Sequence, residues 1–365
     1  MEGTIVLKIG SSSVSSGDKN VNLCVISGLV ETIMKLRKLN YNVILVTSGA
    51  VSIGCARMRL GERPKDLIAR QAIAAIGQSR LMRLYDDFFS LVEQPIAQVL
   101  LTRENLSKSN HYQNAFNTLK ELFRLGVVPI INENDTVAVE ELRVGDNDTL
   151  SALVASLVQA DWLFLLTDVD ALYDKDPTKN TDAKPIHMVP NVEELTVQIG
   201  SPGDWGIGGM STKIQAARIA TAAGVRTVIT KSAQPENILK IIKGHDPNIG
   251  TQFLPQAKPL AGRKRWIAHG FVPSGKLFLD PGAVQAVKQH KSLFGPGIVS
   301  VEGNFSAHLN VALYDNNGHE FARGLVNYNA EQLQKIKGKC SREYITILGY
   351  IADDEVINRD NLALL

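Results

Sequence analysis

The chain has 365 residues, 44% of them hydrophobic, a formal net charge of +2 and three cysteines far apart in sequence. This length predicts two domains, and the balance of residues excludes a disordered chain, a disulfide-stapled small domain and a strongly basic nucleic-acid binder. The opening MEGTIVLKIG has a charged residue at position 2 and too short an apolar run for a signal peptide, and the apolar stretch from Ser151 to Thr167 is broken by Gln159 and Asp161, so a cytoplasmic protein is expected.

In chain order, short β-rich runs alternate with segments of helical period. The runs Thr4–Ile9, Val43–Thr47, Ile96–Leu101, Val127–Asn132, Trp162–Thr167 and Val225–Thr230 are apolar and largely uninterrupted, as strands buried on both faces are. Helices are predicted at Leu23–Leu39, Ala115–Leu125, Leu150–Val158 and Thr212–Ala223; the first carries Ile26, Leu29, Val30, Ile33 and Leu36 on one stripe. Strands separated by helices of this length imply crossover connections, hence an α/β domain of three αβα layers around a mostly parallel sheet. The connector LPQAKPLAG, Leu254 to Gly262, is rich in Pro and Gly and separates a first domain, 1–258, from a second, 263–350. In the second, Lys276–Leu279, Gly297–Val301, Val311–Tyr314, Phe321–Val326 and Tyr344–Ile347 have β character between turn signals, which predicts a small β-barrel-like domain with one or two short helices.

Polar clusters close the first-domain strands, where open α/β sheets bind ligands. Lys8-Ile9-Gly10-Ser11-Ser12-Ser13 sets a cation beside a glycine and three hydroxyls, and Thr47-Ser48-Gly49-Ala50 leaves room for a bound molecule. Each string alone also reads as an ordinary strand-to-helix turn. Asn132-Glu133-Asn134-Asp135, followed by Gly145-Asp146-Asn147-Asp148 with Glu140 and Glu141 between, makes an acidic, amide-rich patch. One of its residues would suffice as a helix cap, and three stand in a row. Thr167-Asp168 ends another strand, with Leu172-Tyr173 just beyond. GGMSTK, Gly208 to Lys213, opens a helix with two glycines, two hydroxyls and a lysine, a combination suited to a polyphosphate although the GxxxxGK[ST] spacing is absent.

Two cation-bearing glycine loops and an acidic patch point to phosphoryl transfer, with Lys8 and Lys213 flanking the migrating group. A phosphate acceptor would want arginines at the patch, whereas carboxylates suit an acceptor bearing an ammonium group, such as a free amino acid. None of the seven histidines falls inside these strings, and an acceptor carboxylate is already ionised at neutral pH and needs no general base. No metal site is assigned to side chains alone.

Lys8-Ile9-Gly10-Ser11, Thr47-Ser48-Gly49-Ala50, the run NENDTVAVEELRVGDNDTLSALVA from Asn132, Leu166-Thr167-Asp168 and GGMSTK together resemble the amino acid kinase superfamily. Their order is similar to the branch that phosphorylates the γ-carboxylate of L-glutamate with ATP at the start of proline biosynthesis. RKRWIAHG from Arg263, then GKLFLDPGAVQAV and FARGLVNY, resemble a PUA domain. The resemblance implies that Lys8 and Lys213 stabilise the transferring phosphoryl group while Asp148 orients both lysines. It further implies that Ser48, Asp135 and Asn147, helped by Asn132 and Asp146, hold glutamate. Lys8, Gly10, Thr167, Asp168 and the loop Ile207, Gly208, Gly209, Met210, Ser211, Thr212 and Lys213 would hold the nucleotide. Mg2+ arriving with ATP, inhibition by proline and a homo-oligomer are likewise inherited. The segment Ser201–Ile207 is bulkier than a minimal glycine loop, and the tail after Tyr350 matches no motif. RNA binding by the second domain is the competing expectation; it is disfavoured because residues 262–365 carry twelve Lys and Arg against ten Asp and Glu. Aspartate, N-acetylglutamate or a nucleoside monophosphate are the alternative acceptors.

Overall fold

The computed structural model describes residues 2–15, 21–102, 106, 109–137, 147–195, 209–244, 246–256, 264, 267–268 and 273–365. Two compact units divide the chain, Met1–Pro259 and Leu260–Leu365. Among the described residues no helix is long and apolar enough to cross a membrane, and Cys24, Cys55 and Cys340 are free thiols.

The first unit is built on strands β1 (Gly3–Ile9), β2 (Tyr41–Val46), β3 (Ile96–Leu101), β4 (Val128–Glu133), β5 (Trp162–Thr167), β8 (Met188–Val189), β9 (Arg226–Lys231) and β10 (Thr251–Phe253). They form one eight-stranded sheet in the order β3-β4-β2-β1-β5-β9-β10-β8. Every neighbouring pair from β3 across to β9 is parallel, and β10 runs antiparallel to β9. Two further short strands, β6 (Leu172–Tyr173) and β7 (Pro185–Ile186), pair with each other as a separate ribbon.

Helices cover both faces because the strands are apolar on both. On one face α2 (Leu23–Lys38) and α4 (Leu67–Ser90) bury Leu29, Ile33, Leu81 and Phe89 against Ile5, Leu7, Val43 and Ile130. On the other, α6 (Asn147–Leu157) is buried along its entire length, lies against β1 and β5, and packs on α7 (Met210–Ala222). Helix α5 (Ser109–Arg124) lies against β4. Enclosure all round favours apolar residues, and from Ala152 to Leu157 α6 is apolar at every position but Ser156.

Several elements were not foreseen, among them α3 (Ala50–Arg57) and α4, the longest helix among the described residues. Gly49, with φ at +109°, turns the chain from β2 into α3 in a left-handed conformation that side chains resist. Asp66 caps α4, its carboxylate accepting from the Ala69 N–H at 2.9 Å. The two helices then cross at backbone contact, since a Cβ on Gly77 would lie 1.8 Å from the Ala50 carbonyl oxygen and one on Gly54 2.1 Å from that of Ile73.

The second unit is a mixed five-stranded sheet in the order β12-β11-β13-β14-β15, from β11 (Lys276–Leu279), β12 (Ile298–Glu302), β13 (Asn310–Tyr314), β14 (Glu320–Leu325) and β15 (Leu362–Leu364). β11 and β13 are parallel and the other neighbours antiparallel. One expectation fails here: Tyr344–Ile347, read as a strand, lies inside the helix Ser341–Leu348. Its β-rich residues are overridden by a Glu343 side chain bonded back to the Cys340 N–H, a left-handed stop at Gly349 and a face that buries Tyr344. With Pro281–Lys288 and Ala330–Ile336, residues 273–365 hold three α-helices, not one or two. The tail joins this unit, because Leu362 and Ala363 are buried and β15 pairs with β14.

Candidate active site

The sheet order reverses around β1, with β2 on one side and β5 on the other, and the carboxyl ends of β1, β2, β4 and β5 converge there. A cleft of about 1160 Å³ opens at this point. Lys8, Gly10, Ser48, Asn132, Asp135, Asn147, Thr167, Asp168, Gly209, Met210 and Lys213, scattered over more than half of the sequence, all line it. Ser211 is exposed in the first turn of α7, and Thr212 sits one residue further in. Asp146, Ile207, Gly208 and the connector Ser201–Ile207 lie outside the described residues, as do Glu140 and Glu141. Leu172 and Tyr173, just beyond Thr167-Asp168, belong to the β6–β7 ribbon and are not among the lining residues.

Asp148 is the electrostatic centre. It is fully buried in the first turn of α6, with Oδ1 2.5 Å from Lys8 Nζ and Oδ2 3.2 Å from Lys213 Nζ. The Thr212 hydroxyl lies 3.0 Å from the same Oδ2 and 2.7 Å from the Gly209 carbonyl. Lys8 and Lys213 are 3% and 6% exposed, so both ammonium groups are desolvated and held by one carboxylate. The three buried charges sum to +1, a site that receives further negative charge. Beside them the start of α7 follows Gly209, where unpaired N–H groups favour an anion.

An amide cluster forms the second part of the site. Asn147 Nδ2 faces the Thr47 carbonyl at 2.5 Å, Asn132 Oδ1 at 2.8 Å and Ser48 Oγ at 2.9 Å. Asn132 Oδ1 also accepts from the Glu133 N–H, and its Nδ2 donates to Gln78 Oε1 at 2.7 Å. Behind it Tyr85 is fully buried with its hydroxyl 2.7 Å from Thr47 Oγ1, and burial drives its phenol far above the usual range.

The part of the cleft that holds Asp135 is not the purely acidic patch the sequence suggested. Asp135 is raised above the ordinary carboxylate value by burial, an effect opposed by the positive charge of Arg70. Arg63 and Lys65, from the α3–α4 connection, line the cleft as well, and Arg63 donates to Ser52 Oγ at 2.5 Å. Sequence reasoning missed these cations because it missed α4, though Asp66 followed by an apolar-periodic stretch was an available start signal. A wall with both a carboxylate and guanidinium groups suits a zwitterion. Among the described residues no three His, Cys, Asp or Glu side chains converge closely enough to hold a metal ion.

Comparison with known proteins agrees in extent with this geometry. The sequence profile of the Amino acid kinase family matches residues 3–231, and that of the PUA domain matches residues 275–348. The glutamate 5-kinase of Cyanothece sp. is 58% identical over the whole of both chains, and that of Nostoc punctiforme 57% identical, again over the whole of both. Among solved structures, the T. acidophilum isopentenyl phosphate kinase product complex aligns with a TM-score of 0.48 at 18% identity, covering 68% of this chain and 99% of that one.

Proposed function

The chain belongs to the amino acid kinase family, within it to the glutamate 5-kinases, and carries a PUA domain; from that premise we propose that it transfers the γ-phosphoryl group of ATP to the γ-carboxylate of L-glutamate, giving glutamyl 5-phosphate. The observation that carries this reading is Asp148 set between Lys8 and Lys213 at the floor of a cleft whose other wall holds Asp135 and Arg70. In the transition state negative charge is spread over the three equatorial phosphoryl oxygens and builds on the leaving oxygen, and two ammonium groups fixed by one carboxylate meet it without reorganisation. The acceptor carboxylate is ionised at neutral pH, so attack needs no proton removed.

Asp135 takes the α-ammonium group, while Arg70 attracts the α-carboxylate. Ser48 and Asn147, with Asn132 behind them, hold the oxygens of the acceptor. Thr167, Asp168, Gly10 and the start of α7, Gly209 to Lys213, hold the nucleotide. Mg2+ fits as an ion carried by the phosphate oxygens, because both oxygens of Asp148 already face ammonium groups. When bound it neutralises phosphate charge.

Proline, also a zwitterionic α-amino acid, is proposed as an inhibitor competing for the Asp135–Arg70 wall. The active form is proposed to be a homo-oligomer in the cytoplasm, and the PUA domain a structural or regulatory attachment.

An assay of ADP release with glutamate, aspartate, N-acetylglutamate and uridylate, with the acyl phosphate trapped by hydroxylamine, tests the reading. Glutamate should give the trapped product and N-acetylglutamate little, since acetylation removes the ammonium group. Turnover with uridylate and none with glutamate would refute it.

A further inference from the structure

We propose that Gln78, on α4 and outside the strand-end clusters, is a positioning residue that fixes the polarity of the amide network holding the acceptor. The proposal rests on the glutamate reading above. Its argument begins with two backbone groups whose roles cannot change. The Thr47 carbonyl can only accept, so the atom of Asn147 that meets it at 2.5 Å is Nδ2. The Glu133 N–H can only donate, so the atom of Asn132 that meets it at 2.9 Å is Oδ1. Asn132 must then turn Nδ2 the other way, and there it meets Gln78 Oε1 at 2.7 Å.

Without that acceptor, Asn132 keeps a donor with nothing to receive it in a place where only 3% of the residue is exposed. The unmet donor weakens the hold on the amide in that orientation. Reversed, its Nδ2 would confront Asn147 Nδ2 and the Glu133 N–H, donor against donor. Asn147 Nδ2, whose two hydrogens are shared among three nearby acceptors beside Ser48, would then face a donor in place of one of them. Ser48 Oγ accepts from Asn147, which leaves the Ser48 proton free for an acceptor in the cleft that Ser48 lines. Gln78 thus acts on the acceptor's oxygens through Asn132 and Asn147 without lining the cleft itself.

The reach of Gln78 depends on the helix crossing beneath it. Gly77, the preceding residue, lies against the backbone of Ala50 and Gly54, so α4 sits closer to the end of β2 than a helix bearing a side chain there could. Gln78 also buries Nε2 with no partner among the described residues. Its built role in the network is therefore that of an acceptor, and a glutamate side chain could supply the same oxygen.

The test is steady-state kinetics on the full chain with Gln78→Met, Gln78→Glu and Asn132→Ala, singly and combined. The parent enzyme is first shown to make hydroxylamine-trapped glutamyl phosphate; failure there would sink the proposed function, not this inference. Gln78→Met is expected to raise the KM for glutamate about tenfold and leave that for ATP within about twofold. In an Asn132→Ala background the same substitution should add nothing, because the group it orients is gone. Gln78→Glu should recover most of the loss. Thermal melts run alongside, and Gln78→Ala replaces Gln78→Met in the cycle if the latter does not fold. A Gln78 effect that persists undiminished in Asn132→Ala, or equal damage to both substrates, overturns the proposal.

Discussion

Replacing Asp148 by Asn removes one charge and almost no volume, and its consequence can be worked out from the two contacts. With Lys8 Nζ at 2.5 Å and Lys213 Nζ at 3.2 Å from different oxygens, the two ammonium groups stand on the order of 6 Å apart across the carboxylate. At an effective dielectric constant of about 20 their mutual repulsion is roughly 3 kcal/mol. In the parent, two attractions at shorter range outweigh it. In Asp148→Asn both attractions go and the repulsion stays, between groups that are 3% and 6% exposed. Breaking buried pairs in this way costs about 3–5 kcal/mol, which for a unit of this size lowers Tm by roughly 6–20 °C.

A second signature separates this account from simple misfolding. A bound triphosphate brings back the missing negative charge, so ATP should raise the Tm of Asp148→Asn by more degrees than it raises that of the parent. Turnover should still fall about 10²–10³-fold, because the lysines are no longer aimed. Differential scanning fluorimetry with and without ATP, beside the coupled assay, reads all three. A variant melting within about 1 °C of the parent and turning over normally would refute the electrostatic argument.

Lys213→Ala should reduce kcat by about 10²–10³-fold with little change in the KM for glutamate, since its charge matters most as the phosphoryl group moves; unchanged turnover removes it from the mechanism. Asp135 must be ionised to hold an ammonium group, and burial places its titration above the ordinary carboxylate range. The KM for glutamate should therefore rise as pH falls through that raised value, and Asp135→Asn should abolish this dependence while raising KM about 10–100-fold at neutral pH. Because a raised carboxylate pKa means that ionisation works against the folded state as pH rises, the same variant should melt no lower than the parent at neutral pH. Gly77→Ala, whose methyl would lie 1.8 Å from the Ala50 oxygen, should lose about 1–3 kcal/mol in urea unfolding, and parental stability would contradict the observed helix crossing.

The six main strands, four of the helices and the strand-end clusters were legible in the sequence because each rests on local periodicity. A strand buried on both faces must be apolar throughout, as WLFLLT is. Helix α4 escaped because its apolar stripe is diluted by exposed Ile68 and Ile76 and by the glycine its crossing requires. The helix Ser341–Leu348 escaped because packing of Tyr344 overrode residues with strand preference.

Tertiary structure alone decided the rest. Lys8, Asp148 and Lys213 come from three elements, and no spacing rule states that both oxygens of one carboxylate meet an ammonium group each. The Arg70 side chain shares the cleft with Asp135 only because α3 and α4 fold back over the sheet, which makes the wall zwitterionic instead of acidic. Residue types and their local order fix what chemistry a chain can present. The long-range register of parallel strands, set by burial across the whole sheet, fixes which of those groups meet.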